Sequence, residues 1–237
     1  MASGSGIFGT GMESSVGSIA SSREVRQSTL ISQEWWDASL ETRAKRVFDV
    51  VFSLLAIIFI SPVLVVIAVL IKLDSEGPVL YISDRIGKDG NRFRFLKFRT
   101  MVKDADSRRG SLMHLNERQG HLFKIGNDPR VTSLGRILRR YSLDELPQFF
   151  NVLMGDMSVV GPRPCLPGEY ANYTEEQRRR VEAVPGITGL WQVKARTDPS
   201  FETYFKLDIH YVENWSFYLD MKILLETVAV VYAGTGQ

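Results

Sequence analysis

The sequence holds a single cysteine, Cys165, in 237 residues. That excludes an intramolecular disulfide framework and any cysteine-based zinc cluster. Histidine is almost as scarce. His114, His121 and His210 show no metal-ligand pairing, which argues against a zinc enzyme. There is no internal repeat and no Walker-type loop. Excess charge is also missing: 29 Lys and Arg against 27 Asp and Glu leave +2, too little to argue for nucleic acid. The charged fraction of 24% is that of an ordinary globular protein, which argues against wholesale disorder and against a polytopic membrane protein.

The most informative absence is local. Residues 50–71 form a run of 22 residues without one charge, interrupted only by Ser53, Ser61 and Pro62. As a straight helix it would measure about 33 Å, enough to cross a hydrocarbon core. It starts too late and runs too long for a signal peptide, and no small-residue cleavage site follows it. Three readings are open: a straight span, a buried core helix, or a hairpin that enters and leaves one leaflet. A core helix with no polar face needs a larger protein around it. Pro62 removes one backbone hydrogen bond, so a kink is expected there, and Ser61 could satisfy the freed carbonyl. Arg43, Lys45 and Arg46 precede the run, and Lys72, Arg85 and Lys88 follow it. Basic residues on both sides favour the hairpin over one crossing.

The rest of the chain divides around this run. In residues 1–22, 12 are Gly or Ser, so residues 1–32 are expected to be flexible. Residues 33–46 read as a short amphipathic helix. Trp35 and Trp36 suit a membrane interface, with Arg43, Lys45 and Arg46 at headgroup level. Residues 33–73 are thus an interfacial and membrane segment, and residues 74–237 a separate polar domain. Residues 79–83 and 92–99 read as two strands joined by a turn at 88–91. Residues 85–110 carry nine Lys and Arg against three Asp, a basic patch beside the apolar run. It suits anionic lipid headgroups or a phosphate site, with Lys97 and Arg99 in a strand. Further on, the pattern is helical at 134–141, 147–153, 174–184 and 201–231. Thr174 and Gln177 stand at capping-box spacing.

The densest chemistry lies at 139–164. Asp144 and Glu145 are adjacent and just precede Pro147, which places them at a helix N-terminus. Plain capping is the alternative, since Ser142 to Glu145 has S-x-x-E spacing. Arg136, Arg139, Arg140 and Arg163 are nearby cations able to keep a carboxylate ionised or to bind phosphate. Pro162 and Pro164 fix the backbone around Arg163. Residues 185–189 read as a Gly/Pro turn, with Arg196 beyond it as another phosphate ligand. A membrane-anchored scaffold that recruits partners is the competing class of function.

With these residues in view, the sequence resembles the bacterial sugar transferases of the monotopic phosphoglycosyl transferase superfamily. The stretches that carry the likeness are Lys97-Phe98-Arg99-Thr100-Met101, Asp128-Pro129-Arg130-Val131-Thr132 and Ser142-Leu143-Asp144-Glu145-Leu146-Pro147-Gln148. Asn151-Val152-Leu153, Gly155-Asp156-Met157-Ser158, Gly161-Pro162-Arg163-Pro164 and Pro185-Gly186-Ile187-Thr188-Gly189 continue it. It covers residues 43–235. The resemblance implies transfer of a sugar 1-phosphate from a UDP-sugar to undecaprenyl phosphate with release of UMP, through a covalent aspartyl-phosphosugar intermediate. It implies Asp144 as nucleophile and Glu145 as its partner, both associated with Mg²⁺. Lys97, Arg99, Arg163, Pro164 and Arg196 are the implied phosphate- and nucleotide-binding residues. The implied fold is α+β and mainly helical. A re-entrant membrane helix-break-helix, broken at Ser61 and Pro62, joins small strands and amphipathic helices in a membrane-surface catalytic domain. The implied location is the cytoplasmic leaflet of the bacterial inner membrane, with both termini cytoplasmic. Nucleic acid is not an expected partner, and a homodimer is compatible with the reading. Two departures stand out: Cys165 follows the Pro-Arg-Pro turn where an aliphatic residue is common, and Lys194-Ala195 precede Arg196.

Overall fold

The structure is a computed structural model and describes residues 40–116, 125–196, 198 and 200–234. The Gly/Ser-rich segment and the helix around Trp35 and Trp36 lie outside the described residues, apart from the stretch from Leu40 on.

The fold is α+β and mainly helical, and it begins with its apolar run. Helix α1 spans Leu40–Asp74, 35 residues with Pro62 inside. Its most apolar 18-residue window has a mean hydropathy of 3.2, yet only 11% of that window is buried. A core helix would be covered, so that reading falls; the helix is long and apolar enough to cross a membrane. The expected break at Ser61 and Pro62 is not seen, because α1 runs as one helix through both residues. Pro62 has no N–H for the carbonyl of Ile58, one turn back. Ser61 Oγ donates to that same carbonyl at 2.9 Å, replacing the missing bond.

Both halves of α1 are tied to the polar body. In the entry half, Lys45 Nζ donates to Asp220 Oδ2 at 2.5 Å and to the Val160 carbonyl at 3.0 Å. Tyr211 and Trp215 donate to the same carboxylate at 2.8 and 3.1 Å. Arg46 donates to the carbonyls of Val152 and Leu153 at 2.6 and 3.1 Å. Asp49 accepts the Val159 N–H at 3.0 Å. Lys45 and Arg46 therefore face protein, not lipid headgroups as expected. A buried carboxylate and helix-end carbonyls are stronger partners than solvent at that position. In the exit half, Ile67 and Ile71 are buried with Phe98 and Leu138.

Strands β1 (Leu80–Ile86) and β2 (Arg92–Phe98) form an antiparallel hairpin that pairs Tyr81 with Lys97. Asp89 and Gly90 take positive φ in its turn. Alternation puts Phe93 and Phe95 inward and Arg92 and Arg94 outward, as period-2 reading requires. Then follow α2 (Ala105–Arg108), α3 (Ser133–Arg140) and α4 (Gln148–Met154). Strand β3 (Ser158–Val160) pairs in parallel with β4 (Gly186–Thr188). The segment expected as a turn at 185–189 is thus mostly a strand. Gly161 and Gly186 make this possible, since a Cβ on either would collide with backbone of the other strand's flank. Helices α5 (Pro167–Tyr170) and α6 (Glu175–Arg178) are single turns. The helix expected over 174–184 has its capping box at Thr174 and Gln177 but tightens to 3₁₀ at Arg179–Glu182. There Arg180 is drawn inside the protein. Helices α7 (Leu190–Lys194), α8 (Phe201–Glu213) and α9 (Phe217–Tyr232) complete the chain. The main core joins Phe95 of β2, Val152 of α4, Val159 and Val160 of β3, Leu190, Tyr211 and Ile223.

Removing one partner of the Lys45–Asp220 pair leaves a carboxylate that is 1% exposed facing no cation. Lys45→Ala is expected to cost about 3 kcal/mol, the usual penalty for orphaning a buried charge. Thermal unfolding in detergent measures it, and an unchanged midpoint would show that Tyr211 and Trp215 alone satisfy Asp220.

Candidate active site

Asp144 and Glu145 lie in a 3₁₀ turn, Leu143–Glu145, just ahead of α4. Pro147 stands at the N-cap of α4, one position earlier than the first helical position. Leu143 and Leu146 flank the acid pair and pack against the cluster of Ile67 and Ile71, so the exit half of α1 lies directly beneath it. Capping does not explain these residues. Ser142 makes no capping bond, and its backbone is left-handed at φ 57°, which is costly for a residue other than glycine. Its hydroxyl instead accepts Arg196 Nη2 at 2.8 Å. The turn is held in a strained conformation by a cation from 54 residues away.

Lys97 reaches the pair from β2. Its Nζ lies 2.9 Å from Asp144 Oδ2 and 3.2 Å from Glu145 Oε1. Asp144 is buried, while Glu145 keeps some exposure and stands 3.8 Å from Arg163 Nη1. Burial disfavours the charged form of Glu145, but the charges of Lys97, Arg163 and Arg196 outweigh it and hold this carboxyl below the usual range. Arg139 of α3 also faces the site. Its guanidinium donates to Thr100 Oγ1 at 2.9 Å; burial lowers its pKa and the nearby charge of Asp144 opposes that.

Other expected ligands are placed differently. Arg99 is buried and turned away, donating to the carbonyls of Ser75, at 2.7 Å, and Glu76. It caps the exit end of α1. Gly77, at φ 123°, leaves the space its guanidinium needs. Pro164 is buried and offers its carbonyl to Arg85 at 3.3 Å, so its part is to shape the turn. Of the other cations near the pair in sequence, Arg136 bonds Ser133 and Arg140 lies over the Tyr141 ring. Lys194 pairs with Glu226 at 2.8 Å, away from the acid pair. Cys165 is buried beside Ile86, Tyr173, Tyr204 and Phe205. A cavity of about 590 Å³ between Asp89, Tyr170 and Arg178 contains none of the acid-pair residues, so chemistry and not cavity size locates the site.

What the arrangement offers is one buried carboxylate, a second beside it, and four cations from separated parts of the chain. Such a set suits a phosphate-bearing ligand and a carboxylate nucleophile. No group of three His, Cys, Asp or Glu occurs among the described residues. Mg²⁺ commonly takes one or two protein carboxylates and completes its shell with water and substrate phosphate; here both Asp144 and Glu145 face Lys97 Nζ.

The family model of bacterial sugar transferases matches residues 40–234. The chain belongs to the bacterial sugar transferase family. The exopolysaccharide production protein ExoY of Rhizobium meliloti is 41% identical over 198 residues, 82% of this chain and 88% of its own length. The galactosyl transferase CpsE of Streptococcus agalactiae is 42% identical over 194 residues, and the undecaprenyl-phosphate galactose phosphotransferase of Salmonella typhimurium is 41% identical over 197. Each match covers 81% of this chain but only 43% and 41% of those two relatives, so the chain spans less than half of their length.

The depressed Glu145 carboxyl contributes stability above the ordinary glutamate value, near pH 4.3, and loses it as pH falls through the lowered value. Lys97→Met removes a main cause of the depression. The variant is therefore expected to be less stable than the parent at pH 7, with the gap narrowing as pH drops below about 4.5. Thermal midpoints across that range test it; a gap independent of pH would mean Lys97 does not govern Glu145.

Proposed function

We propose that this family member transfers a sugar 1-phosphate from a UDP-sugar to undecaprenyl phosphate. The observation that carries this reading is Lys97 Nζ held between Asp144 and Glu145, with Arg163 and Arg196 around them, directly against a membrane-competent helix. The names of the relatives support it. One is an undecaprenyl-phosphate galactose phosphotransferase, and one from Aeromonas hydrophila is a UDP-N-acetylgalactosamine-undecaprenyl-phosphate N-acetylgalactosaminephosphotransferase. ExoY is a protein of exopolysaccharide production.

In this reading an Asp144 carboxylate oxygen attacks the sugar-bearing phosphorus of the UDP-sugar. The bond from that phosphorus to the bridging oxygen breaks, and UMP leaves with the electron pair. Asp144 then carries the sugar phosphate as an acyl phosphate. A phosphate oxygen of undecaprenyl phosphate attacks the same phosphorus, forms the lipid diphosphate sugar and frees the carboxylate. Splitting one transfer into two displacements keeps the two anionic substrates from having to meet at once. Lys97, Arg163 and Arg196 offset the phosphate charge beside two carboxylates. Glu145 positions the nucleophile and stays ionised at neutral pH. When bound, Mg²⁺ supplies further neutralisation of phosphate charge, with Asp144 and Glu145 as its protein ligands.

The membrane reading is a helix that enters and leaves the cytoplasmic leaflet of a bacterial inner membrane, both ends on the cytoplasmic side. Supporting it, the entry half bonds Val152, Val159 and Asp220, and the exit half packs on Phe98 and Leu138, all on one polar body. Between these halves the residues around Ser61 and Pro62 are exposed and apolar. Such a segment sets the acid pair at the depth of a lipid phosphate.

UMP release from a panel of UDP-sugars, with undecaprenyl phosphate and Mg²⁺, tests the activity. Asp144→Asn is expected to lower turnover by more than about 10³-fold, as nucleophile loss does. Intact mass after UDP-sugar alone should show a sugar-phosphate adduct on the parent and none on the variant. Normal turnover by Asp144→Asn would overturn the nucleophile. For topology, Ala44→Cys and Glu76→Cys flank the apolar segment, and native Cys165 is buried. Both sites should resist an impermeant maleimide added outside cells; labelling of one would establish a span.

A further inference from the structure

Arg180 is absent from every motif above, yet it is among the most deeply buried side chains, 1% exposed. It sits in the 3₁₀ turn Arg179–Glu182. Its guanidinium pairs with Asp208 of α8, equally buried, and donates to Tyr204 OH and, at 2.9 Å, to Tyr173 OH. It lies over the Tyr204 ring, 4.4 Å from the centroid, and 5.2 Å from that of Phe205. Its remaining bond leaves this cage: Nη2 donates to the Arg163 carbonyl at 2.7 Å.

That carbonyl belongs to the Pro-Arg-Pro turn. Pro162 and Pro164 have no N–H, so the turn is held mainly through its carbonyls. The three come in sequence. Pro162 accepts from Gly186 N–H at 2.9 Å, Arg163 from Arg180, and Pro164 from Arg85 Nη1 at 3.3 Å. Fixing the plane of the peptide bond after Arg163 constrains the direction in which the Arg163 side chain leaves the backbone. That side chain is partly exposed and ends 3.8 Å from Glu145. A buried guanidinium is no cheaper than an apolar side chain of the same volume. What it adds here is direction, delivered by a rigid fork with fixed donors.

We infer that Arg180, set by Asp208, Tyr173 and Tyr204, is a positioning residue that aims Arg163 at the substrate phosphates from outside the site. This rests on the proposed transferase reading, in which Arg163 binds phosphate. Arg180 touches no reacting atom and acts through the Arg163 carbonyl, while its partner Asp208 also bonds the Arg163 backbone.

The test is a double-mutant cycle on detergent-solubilised enzyme, reading kcat, KM for the UDP-sugar and the thermal midpoint. Arg180→Lys keeps the charge facing Asp208 but loses the fork. It is expected to lower kcat/KM about tenfold or more, mainly through a raised KM, as a small misplacement of a binding group does. In an Arg163→Gln background the same change should cost less than about twofold, because the group being aimed is gone. If Arg180→Lys does not fold, Asp208→Asn enters the same cycle, since it frees the guanidinium while preserving shape. Equal losses in both backgrounds, or a lowered midpoint with unchanged KM, would overturn the positioning role. Arg163→Gln leaving kcat/KM unchanged would overturn the site reading instead.

Discussion

The exit half of α1 packs Ile67 and Ile71 against Phe98 and Leu138, and Leu143 and Leu146 close the same cluster. Lys97 precedes Phe98, and Asp144 and Glu145 lie between the two leucines. The apolar contact and the charged cluster are therefore opposite faces of the same two segments. Neither can shift without the other, because packed interiors transmit displacement over a few ångströms. The position of the exit half of α1 and the placement of the carboxylates become a single variable. Arg99 completes the coupling. It leaves the strand that carries Lys97 and closes the end of α1 through the carbonyls of Ser75 and Glu76.

Charge explains why the site needs so many distant parts. A buried carboxylate with a second beside it raises the energy of both unless cations stand close. Lys97 serves both, and Arg163, Arg196 and Arg139 bring the local count to four cations against two anions. A site intended only to keep Asp144 and Glu145 ionised would be neutral with two. The surplus leaves the cluster net positive, and its members must be held apart so that the cations do not repel one another out of place. Holding them on β2, on α3, beside β3 and beyond α7 achieves this.

What the sequence revealed were features whose cause is local. The hydropathy of α1, the alternation of β2, the N-cap at Thr174 and the Asp144–Glu145 pair all follow from neighbours in the chain. So did Lys97, Arg163 and Arg196 as cations at the site. What it hid were partners chosen in three dimensions. Arg99 looked like a phosphate ligand because it shares a strand with Lys97, but helix-end carbonyls claimed it. Ser142 looked like a cap by spacing, yet Arg196 took its hydroxyl. Residues 174–184 kept a helical pattern that Arg180 broke by turning toward Asp208. Lys45 and Arg46 looked like headgroup ligands, since nothing near them in sequence discloses Asp220 or the end of α4. In each case a charged side chain found its partner more than ten residues away, beyond the reach of any periodicity argument.

The Pro-Arg-Pro turn shows how sequence and fold divide the work. Two prolines remove donors and fix φ, which limits the turn to few shapes but leaves its orientation in the protein undetermined. Orientation must come from elsewhere, and the three carbonyls receive it from β4, from Arg180 and from Arg85. The donors belong to three separate segments of the chain, so each residue of the turn has its own anchor. Lost bonds to charged donors in a buried setting are expensive. A partly exposed arginine side chain thus gains a fixed base, and the rigidity sits in residues outside the acid-pair cluster.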